Sequence, residues 1–567
     1  MKGAGRIKRL FPIFEWLPNY NKKDLVGDFS AGLTIAVMLI PQGMAYAMLA
    51  GLPPVVGLYA STIPLIVYAL FGTSRHLGVG PIAIISLLVF SGVSTLAEPG
   101  TGEYISLVIL LTFMVGILQF AMGALKLGFI VNFFSHAVIS GFISASAIVI
   151  GLSQLKHLLG IPLQSENVFM ILWEATKRIT EVNPITLIIG VGSIVLLLFL
   201  GKYLPKVPAQ LVLVVLTISL VYYLDLPRFG VSIIGEVPGG LPGISIPFLN
   251  LNIGTVLALL PTALTIAFIG FVEAIAIAKA IAIKEKYKVS SNQELVGLGL
   301  ANAASSLVSG YPVTGAFSRS AVNYQIGGRT QMASIITAVL IILTLLFFTG
   351  LFYYLPNAVL AAIIMVAVYK LIDMKYARYL FKVNTTDGIS WVATFLVALI
   401  LGVEQGILTG VILSLLFFIW GSAYPRTVEL GYLESEDVFR DVDYHTEAKV
   451  DPKILIFRVD ARLYFANMAF LENRLFERVQ EKPDVKWIVF DFSAVNSIDA
   501  VAIQSLERIM EDYGKRGIKF KYARIKRPVQ EMVEKAGWEE KFGEQMYDYY
   551  SIRQALKAID QERFRYA

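Results

Sequence analysis

The chain has 567 residues, 56% of them hydrophobic and 16% charged, with a mean hydropathy of +0.67. A soluble fold has too little interior for that much apolar surface, so a large soluble enzyme is excluded and a membrane protein is indicated. The net charge of +6 comes from basic residues that border apolar tracts rather than gather on one soluble face, which argues against a nucleic-acid partner.

Phe11 to Pro18 is short, mixed and followed by the polar stretch Asn19 to Asp28, so the order of a cleavable signal peptide is missing. Residues 1–28 read as a cytoplasmic N-terminal segment. No Asp, Glu, Lys or Arg then occurs between Asp28 and Arg75, nor in 77–97, 104–125, 182–201, 207–224, 330–369 and 388–403. A spanning helix needs about 20 such residues, so the longer tracts hold two spans. Helices are expected at 30–47, 53–71, 80–92, 104–125, 130–158, 184–200 and 208–224, and then at 254–283, 292–305, 315–326, 331–349, 357–372, 386–402 and 406–421. The piece around 164–178 reads as a short amphipathic or re-entrant segment, and 376–387 as an interhelical linker.

With the N-terminus inside, even-numbered helices exit at Arg75, Lys126, Lys202 and Lys206, Lys284 to Lys288, Arg329, and Lys370 to Lys382, as cytoplasmic loops should. Lys156, Lys177, Arg178 and Arg228 are exceptions that fall outside. An even count returns the polar C-terminal portion to the cytoplasm, and with no targeting sequence read, a bacterial inner membrane is the expected location, with lipid as a partner.

Helices three and ten look too short to span. The third follows Gly78, Gly80 and Pro81, the tenth follows Gly310, Pro312 and Gly315, and the breaks occupy corresponding places in two sets of seven. This is the pattern of an inverted-repeat transporter with discontinuous helices, whose half-helix N-termini carry unpaired N–H groups and suit an anion. The alternative is that the glycines and prolines only kink ordinary spans.

Arg319, four residues after Gly315, is a permanent charge at a costly depth, and needs either an anion or a buried partner such as Glu273. Glu273 stands in an apolar run, where desolvation and a nearby arginine pull its proton affinity in opposite directions. It can carry a coupling proton or simply neutralise Arg319. Gln42 and Tyr46, on one face after Pro41, suit an anion-pocket wall or helix packing. Glu404 and Gln405 occupy the turn between the last two spans, where a surface or gating role is expected. There are no cysteines, and His76, His136, His157 and His445 do not cluster, so neither a metal nor another cofactor is expected.

After Tyr424 strands are expected at 453–460, 485–492 and 518–523, and helices at 467–479, 499–513, 528–536 and 544–559. No phosphate-cradling loop or Ser/His/Asp grouping appears in this α/β portion, so no enzyme activity is expected.

The stretches "PQGMAYAMLAGLPPVVGLYAS" from Pro41, "PLIVYALFGTSRHLGVGPIAIISLL" from Pro64, "FVEAIAIAK" from Phe271 and "GYPVTGAFSRSAVNYQIGGRTQ" from Gly310 together resemble the SulP, or sulphate permease, family of anion transporters. The resemblance implies an all-α polytopic membrane domain over 29–425 with fourteen spans in two inverted seven-helix repeats, about 29–225 and 250–421, split into core and gate parts and assembled as a homodimer. It implies a substrate site of Gln42, Tyr46, the backbone at Ile82 and Ala83, Glu273, Phe317, Ser318 and Arg319, with Glu273 as the proton-coupling group. The portion over 438–560 resembles a small cytoplasmic STAS domain, whose hallmark loop is matched by "VFDFSAVNSIDAVAIQSL" from Val489. Asp499 is followed by Ala500 and Val501, not by the serine of the phosphorylated relatives, so a packing or dimer-positioning role is expected there, with Ser493 and Ser497 as weaker modification candidates. The expected activity is proton-coupled sulphate symport by alternating access. A dicarboxylate or bicarbonate carrier, an exchanger and a channel stand as alternatives.

Overall fold

The computed structural model describes all residues except 1–10, 130–134, 164, 166–167, 205–207, 246–251, 544–545, 547–548 and 566–567, together with the side chains of 403–404 and 562–565. The start of the helix expected at 130, the expected cytoplasmic Lys206, the side chain of Glu404 and the first ten residues of the N-terminal segment lie outside the described residues. Two compact units divide between Ser414 and Leu415.

The first unit and the start of the second, as far as Ala423, are helical. Among the described residues eight runs are long and apolar enough to cross a membrane: Lys22–Leu49, Pro54–Phe71, Gly102–Ala124, His136–Leu159, Pro184–Tyr203, Ile253–Glu285, Asn357–Val383 and Gln405–Ala423. Shorter apolar helices occupy Ala83–Val93, Ala209–Tyr223, Met332–Phe347 and Thr385–Ile400. The first long helix starts where Asn21 accepts from the Lys23 and Asp24 backbones while Asp24 reaches back, a reciprocal cap. A second carboxylate ties its next turn down: Asp28, fully buried, accepts from Arg329 N at 2.6 Å and Thr330 N at 3.0 Å.

Several expected helices differ in detail. The second is broken between Tyr59 and Ile63, because Pro64 fills the first turn of a new helix over Ile63–Phe71. The linker expected at 376–387 is largely helix, Met374–Val383, capped by Asp373 and followed directly by Thr385–Ile400. Its apolar and basic residues segregate by face, with Ala377 and Leu380 buried and the lysines outward, which a local reading of charge density misses. The segment expected to be amphipathic forms Val168–Lys177, burying Val168, Ile171 and Ala175.

The membrane unit is all-α as expected, with two short extended breaks. The glycine-rich breaks are short strands, β1 (Gly78–Gly80) and β2 (Thr314–Ala316), paired antiparallel with Val79 opposite Gly315. The helices after them therefore begin at Ala83 and Phe317, later than the expected 80 and 315. Paired backbone is what lets extended chain run through an apolar interior.

In the second unit a five-stranded sheet has the order β4-β3-β5-β6-β7, where β3 is Thr427–Leu433, β4 Val438–Asp441, β5 Ile454–Val459, β6 Trp487–Asp491 and β7 Lys519–Ala523. β5, β6 and β7 are parallel, and β3 is antiparallel to both neighbours. Side chains alternate between two cores: Leu455, Phe457, Ile488 and Phe490 face the helices Met468–Gln480 and Ala500–Gly514, while Ile454, Ile456 and Val489 face the helix Ile552–Arg565. Strands β3 and β4 were not expected, and a boundary at 438 cuts through their hairpin. The last helix begins at Ile552 rather than 544, because Tyr549 is bridged to Ala523 and its carbonyl accepts from Arg524 N at 2.7 Å.

Candidate functional site

Because β1 and β2 pair antiparallel, Ala83–Val93 leaves from the Gly80 end and Phe317–Ile326 from the Ala316 end opposite Gly78, so the two helix starts oppose each other across the short strand pair. Neither start is capped by a side chain: Ile82 precedes Ala83–Val93 and Ala316 precedes Phe317–Ile326, both with extended backbone. Orphan N–H groups of two helices thus share one region, which carries positive partial charge.

Side chains within and around the strand pair hold this geometry. Thr314 Oγ1 donates to Gly270 O at 2.6 Å and docks β2 on the Ile253–Glu285 helix one turn before Glu273. Asn302 donates to Val313 O at 3.0 Å and to Gln119 Oε1 at 2.9 Å, and accepts from Val313 N at 2.7 Å. Gly78 N donates to Ser320 Oγ at 2.9 Å, and Asn323 donates to His76 O at 3.1 Å. Ahead of β1, fully buried Glu294 accepts from Tyr68 Oη, Thr73 N and Thr73 Oγ1 at 2.6 Å each and from Ser74 N at 3.0 Å. With two hydroxyl and two backbone donors, and no cation within 4.0 Å among the described residues, this carboxylate fixes the chain ahead of β1.

Arg319 enters the cluster from the first turn of its helix and is 1% exposed. Its Nη1 donates to Pro81 O at 2.9 Å, bridging the two helix starts, whereas Nε and Nη2 meet no acceptor. Two glycines make room. A Cβ on Gly78 would lie 2.8 Å from Arg319 Cβ, and Gly80, with φ of +148°, would bring one 3.2 Å from Nη2. Leu39 lies against Gly80, and Gln42 and Tyr46 follow it on the same face of the first helix. Gln42 is 3% exposed with Oε1 unpartnered. Tyr46, Tyr311 and Glu273 lie within electrostatic reach of the guanidinium.

The structure thus brings together Gln42, Tyr46, Ile82, Ala83, Glu273 and Arg319 of the expected set. Phe317, at 68% exposure, and Ser318 turn outward, so their backbone N–H groups belong to the helix start but their side chains do not join the buried cluster. Nor do Glu273 and Arg319 form a direct ion pair: among the described residues no carboxylate lies within 4.0 Å of the guanidinium, and Glu273 Oε2 is buried without a partner. The alternative of a plain structural ion pair is not realised. Of the ten buried side-chain polar atoms without a partner among the described residues, four sit here, on Gln42, Glu273 and Arg319. Buried polar atoms are almost always satisfied, so this concentration sets the cluster apart from the rest of the described interior. Sequence reasoning passed over Tyr311, whose hydroxyl meets Ser86 Oγ at 3.1 Å, and the braces Asn302, Gln119 and Glu294. Tyr311 stands inside the glycine-rich stretch and was legible as a neighbour of the break, but the braces carry no local signal.

In the second unit Asp499 Oδ1 accepts from Ala502 N at 2.7 Å and Oδ2 from Phe465 N at 3.0 Å, so this loop residue caps a helix and pins the preceding strand exit. Ser493 donates to buried Asp491, which Arg524 also holds.

The pattern of the sulfate permease family matches residues 25–394, and that of the STAS domain matches 445–552. Sulfate transporter 4.1, chloroplastic, of Arabidopsis thaliana is 37% identical over 564 residues, covering 95% of this chain and 81% of its own length. Among solved structures, the murine solute carrier 26 family member A9 anion transporter in its inward-facing state superposes with a TM-score of 0.90 at 25% identity, over 97% of this chain and 94% of that one. The transmembrane domain of the cyanobacterium bicarbonate transporter BicA gives 0.60 at 26% identity, over 70% of this chain and 98% of that one. The chain belongs to the sulfate permease family, whose members are membrane transporters of anions and not enzymes, and it carries a C-terminal STAS domain.

Proposed function

We propose that the chain carries sulfate across the membrane by proton symport, with the anion held between the two short helix starts and Arg319. The observation that carries this reading is the meeting of two uncapped helix N-termini with a buried guanidinium that keeps two nitrogens unpartnered. Gln42 and Tyr46 line the wall, the Ile82, Ala83, Phe317 and Ser318 backbones supply N–H donors, and a tetrahedral oxyanion can accept from several of these at once. The sulfate transporters among its relatives support the choice of anion.

Glu273 takes up the coupling proton. Protonated, it removes a carboxylate charge that opposes an anion beside Arg319, so proton and anion favour each other's binding. The domain over 29–425 holds fourteen spans in two inverted repeats, about 29–225 and 250–421, of which one part moves against the other to alternate access. Basic residues such as Arg75, Lys126 and Arg329 at the ends of even-numbered helices support cytoplasmic N- and C-termini. The 438–560 portion extends back to β3, and the working form is a homodimer in a bacterial inner membrane.

Bicarbonate is the second reading, favoured by the likeness to the bicarbonate transporter structure. Reconstituted protein decides between them: radiolabelled sulfate uptake is measured with and without an inward-directed proton gradient, for wild type and Glu273→Gln. Gradient-driven accumulation in wild type that is lost in the variant is the expected result. Uptake indifferent to both the gradient and the substitution contradicts proton coupling, and no sulfate uptake by folded protein moves the assignment to bicarbonate or a dicarboxylate.

A further inference from the structure

The helix Met374–Val383 is charged where its chain neighbours are apolar. It joins Asn357–Tyr369 to Thr385–Ile400, with only Lys370 to Asp373 before it and Asn384 after it, so it cannot leave the edge of the two apolar helices it connects. Nor does it continue the first of them through the hydrocarbon. The chain turns at Lys370 and Leu371, and the three basic side chains that follow would be costly inside a bilayer. The helix therefore stands where the membrane core ends and the headgroup layer begins.

At about 3.6 residues per turn its perimeter divides into distinct arcs. Ala377 and Leu380 are buried and pack with Ala137 and Trp391. On the opposite side Lys375, Arg378 and Lys382, all exposed, fall within about 60° of one another as one stripe. Met374 and Phe381 flank that stripe on one side and Tyr379 and Val383 on the other, each of them exposed. The segment 370–387 also holds two carboxylates, Asp373 and Asp387. Asp373 Oδ1 accepts from Tyr376 N at 2.9 Å, and both acids are within electrostatic reach of Tyr376, which lies on the arc away from the stripe.

Bare apolar residues beside a basic stripe do not suit water, but they complement a layer of anionic headgroups above acyl chains. We propose that Met374–Val383 is a docking site for anionic phospholipid. Lys375, Arg378 and Lys382 bind headgroup phosphates of the adjoining leaflet, the apolar flanks enter the top of the acyl layer, and the lipid holds the start of Thr385–Ile400 at a fixed depth. On the orientation proposed above this is the cytoplasmic leaflet. The binding itself requires neither that orientation nor the transport of any anion.

The chain has no cysteine, so Val383→Cys places a single thiol beside the stripe. The purified full-length protein, labelled there with a fluorophore, is reconstituted in phosphatidylcholine vesicles containing increasing amounts of phosphatidylglycerol or phosphatidylcholine with brominated, quenching acyl chains. Half-maximal quenching is expected at about 10-fold less of the brominated phosphatidylglycerol, and Lys375→Gln, Arg378→Gln and Lys382→Gln together should bring the two curves together. Equal quenching by the two lipids before those substitutions, or a preference that survives them, overturns the proposal. So does a label that neither lipid quenches, the outcome if the soluble portion or a second copy of the chain covers the stripe. Inorganic phosphate in place of chloride at equal ionic strength should leave the preference intact, and its loss would assign the stripe to free phosphate and overturn the lipid assignment. If the triple variant does not fold, Lys382→Gln alone should lower the preference about 2-fold, and if Val383→Cys does not fold, Met374→Cys on the other flank carries the same comparison.

Discussion

Glu294 illustrates how a single side chain holds the site at a distance. Its two oxygens take four donors from Tyr68, Thr73 and Ser74, in the stretch that leads into β1. An amide there would turn an NH2 group toward those donors, so Glu294→Gln should cost about 2 kcal/mol or more. The check is a lowered thermal midpoint of the purified protein, and an unchanged midpoint would deny the brace its role. Nothing near Glu294 in sequence announces this, because its neighbours Ser291, Asn292 and Gln293 read as an ordinary polar helix start and every partner is more than two hundred positions away. Arg319 and Glu273, by contrast, were legible as charges in apolar surroundings. Their separation was not, since sequence gives the depth of a charge but not which neighbour it meets. Gln42 is the weaker member of the cluster, with one unpartnered oxygen and no charge. Gln42→Ala should therefore raise the KM for the transported anion about 10-fold and leave folding intact, measured by uptake and by elution on size exclusion.

At the scale of elements, the two breaks could be read from Gly78, Gly80, Pro81 and Gly310, Pro312, Gly315, because those residues end helices wherever they occur. That the broken segments pair as strands could not. Three-residue strands carry no periodicity, and the partner of each is decided by docking on Gly270 and by the Asn302 and Ser320 hydrogen bonds. The pairing explains the glycines. Alanine at Gly78 would drive a methyl group into Arg319 Cβ, and at Gly80 it would also have to adopt a left-handed backbone. Gly78→Ala should abolish uptake in protein that still purifies as a folded species, and wild-type flux in that variant would contradict the close approach of β1 to the arginine. The Met374–Val383 helix was misread for a related reason: three basic residues in a short stretch look like a loop until the buried Ala377 and Leu380 are placed on one face.

For the whole molecule, the change from uncharged tracts to α/β alternation after Tyr424 separated the two kinds of unit in the sequence, and the strands and helices over 453–536 lie within a few residues of expectation. The β3–β4 hairpin was missed because Glu429, Glu434, Glu436 and Asp437 mask its alternation. Its position matters to any dissection, since β3 sits between β4 and β5. A fragment beginning at Arg426 should be soluble and monodisperse, whereas one beginning at 438 exposes the bare edge of β5 and should aggregate, as light scattering would report. Equal behaviour of the two fragments would show that β3 is dispensable.

In the membrane unit, the anion site we propose is the place where two helix starts meet Arg319. The most direct measurement is the thermal midpoint of purified wild type and Arg319→Gln as sulfate is added against chloride at equal ionic strength. A ligand that binds only the folded state stabilises it by about 2.7 kcal/mol at about one hundred times its dissociation constant. Wild type should gain stability progressively and saturate, while the variant, folded but lacking the guanidinium, should not respond. An equal sulfate-dependent rise in both proteins would contradict the account and place the anion elsewhere.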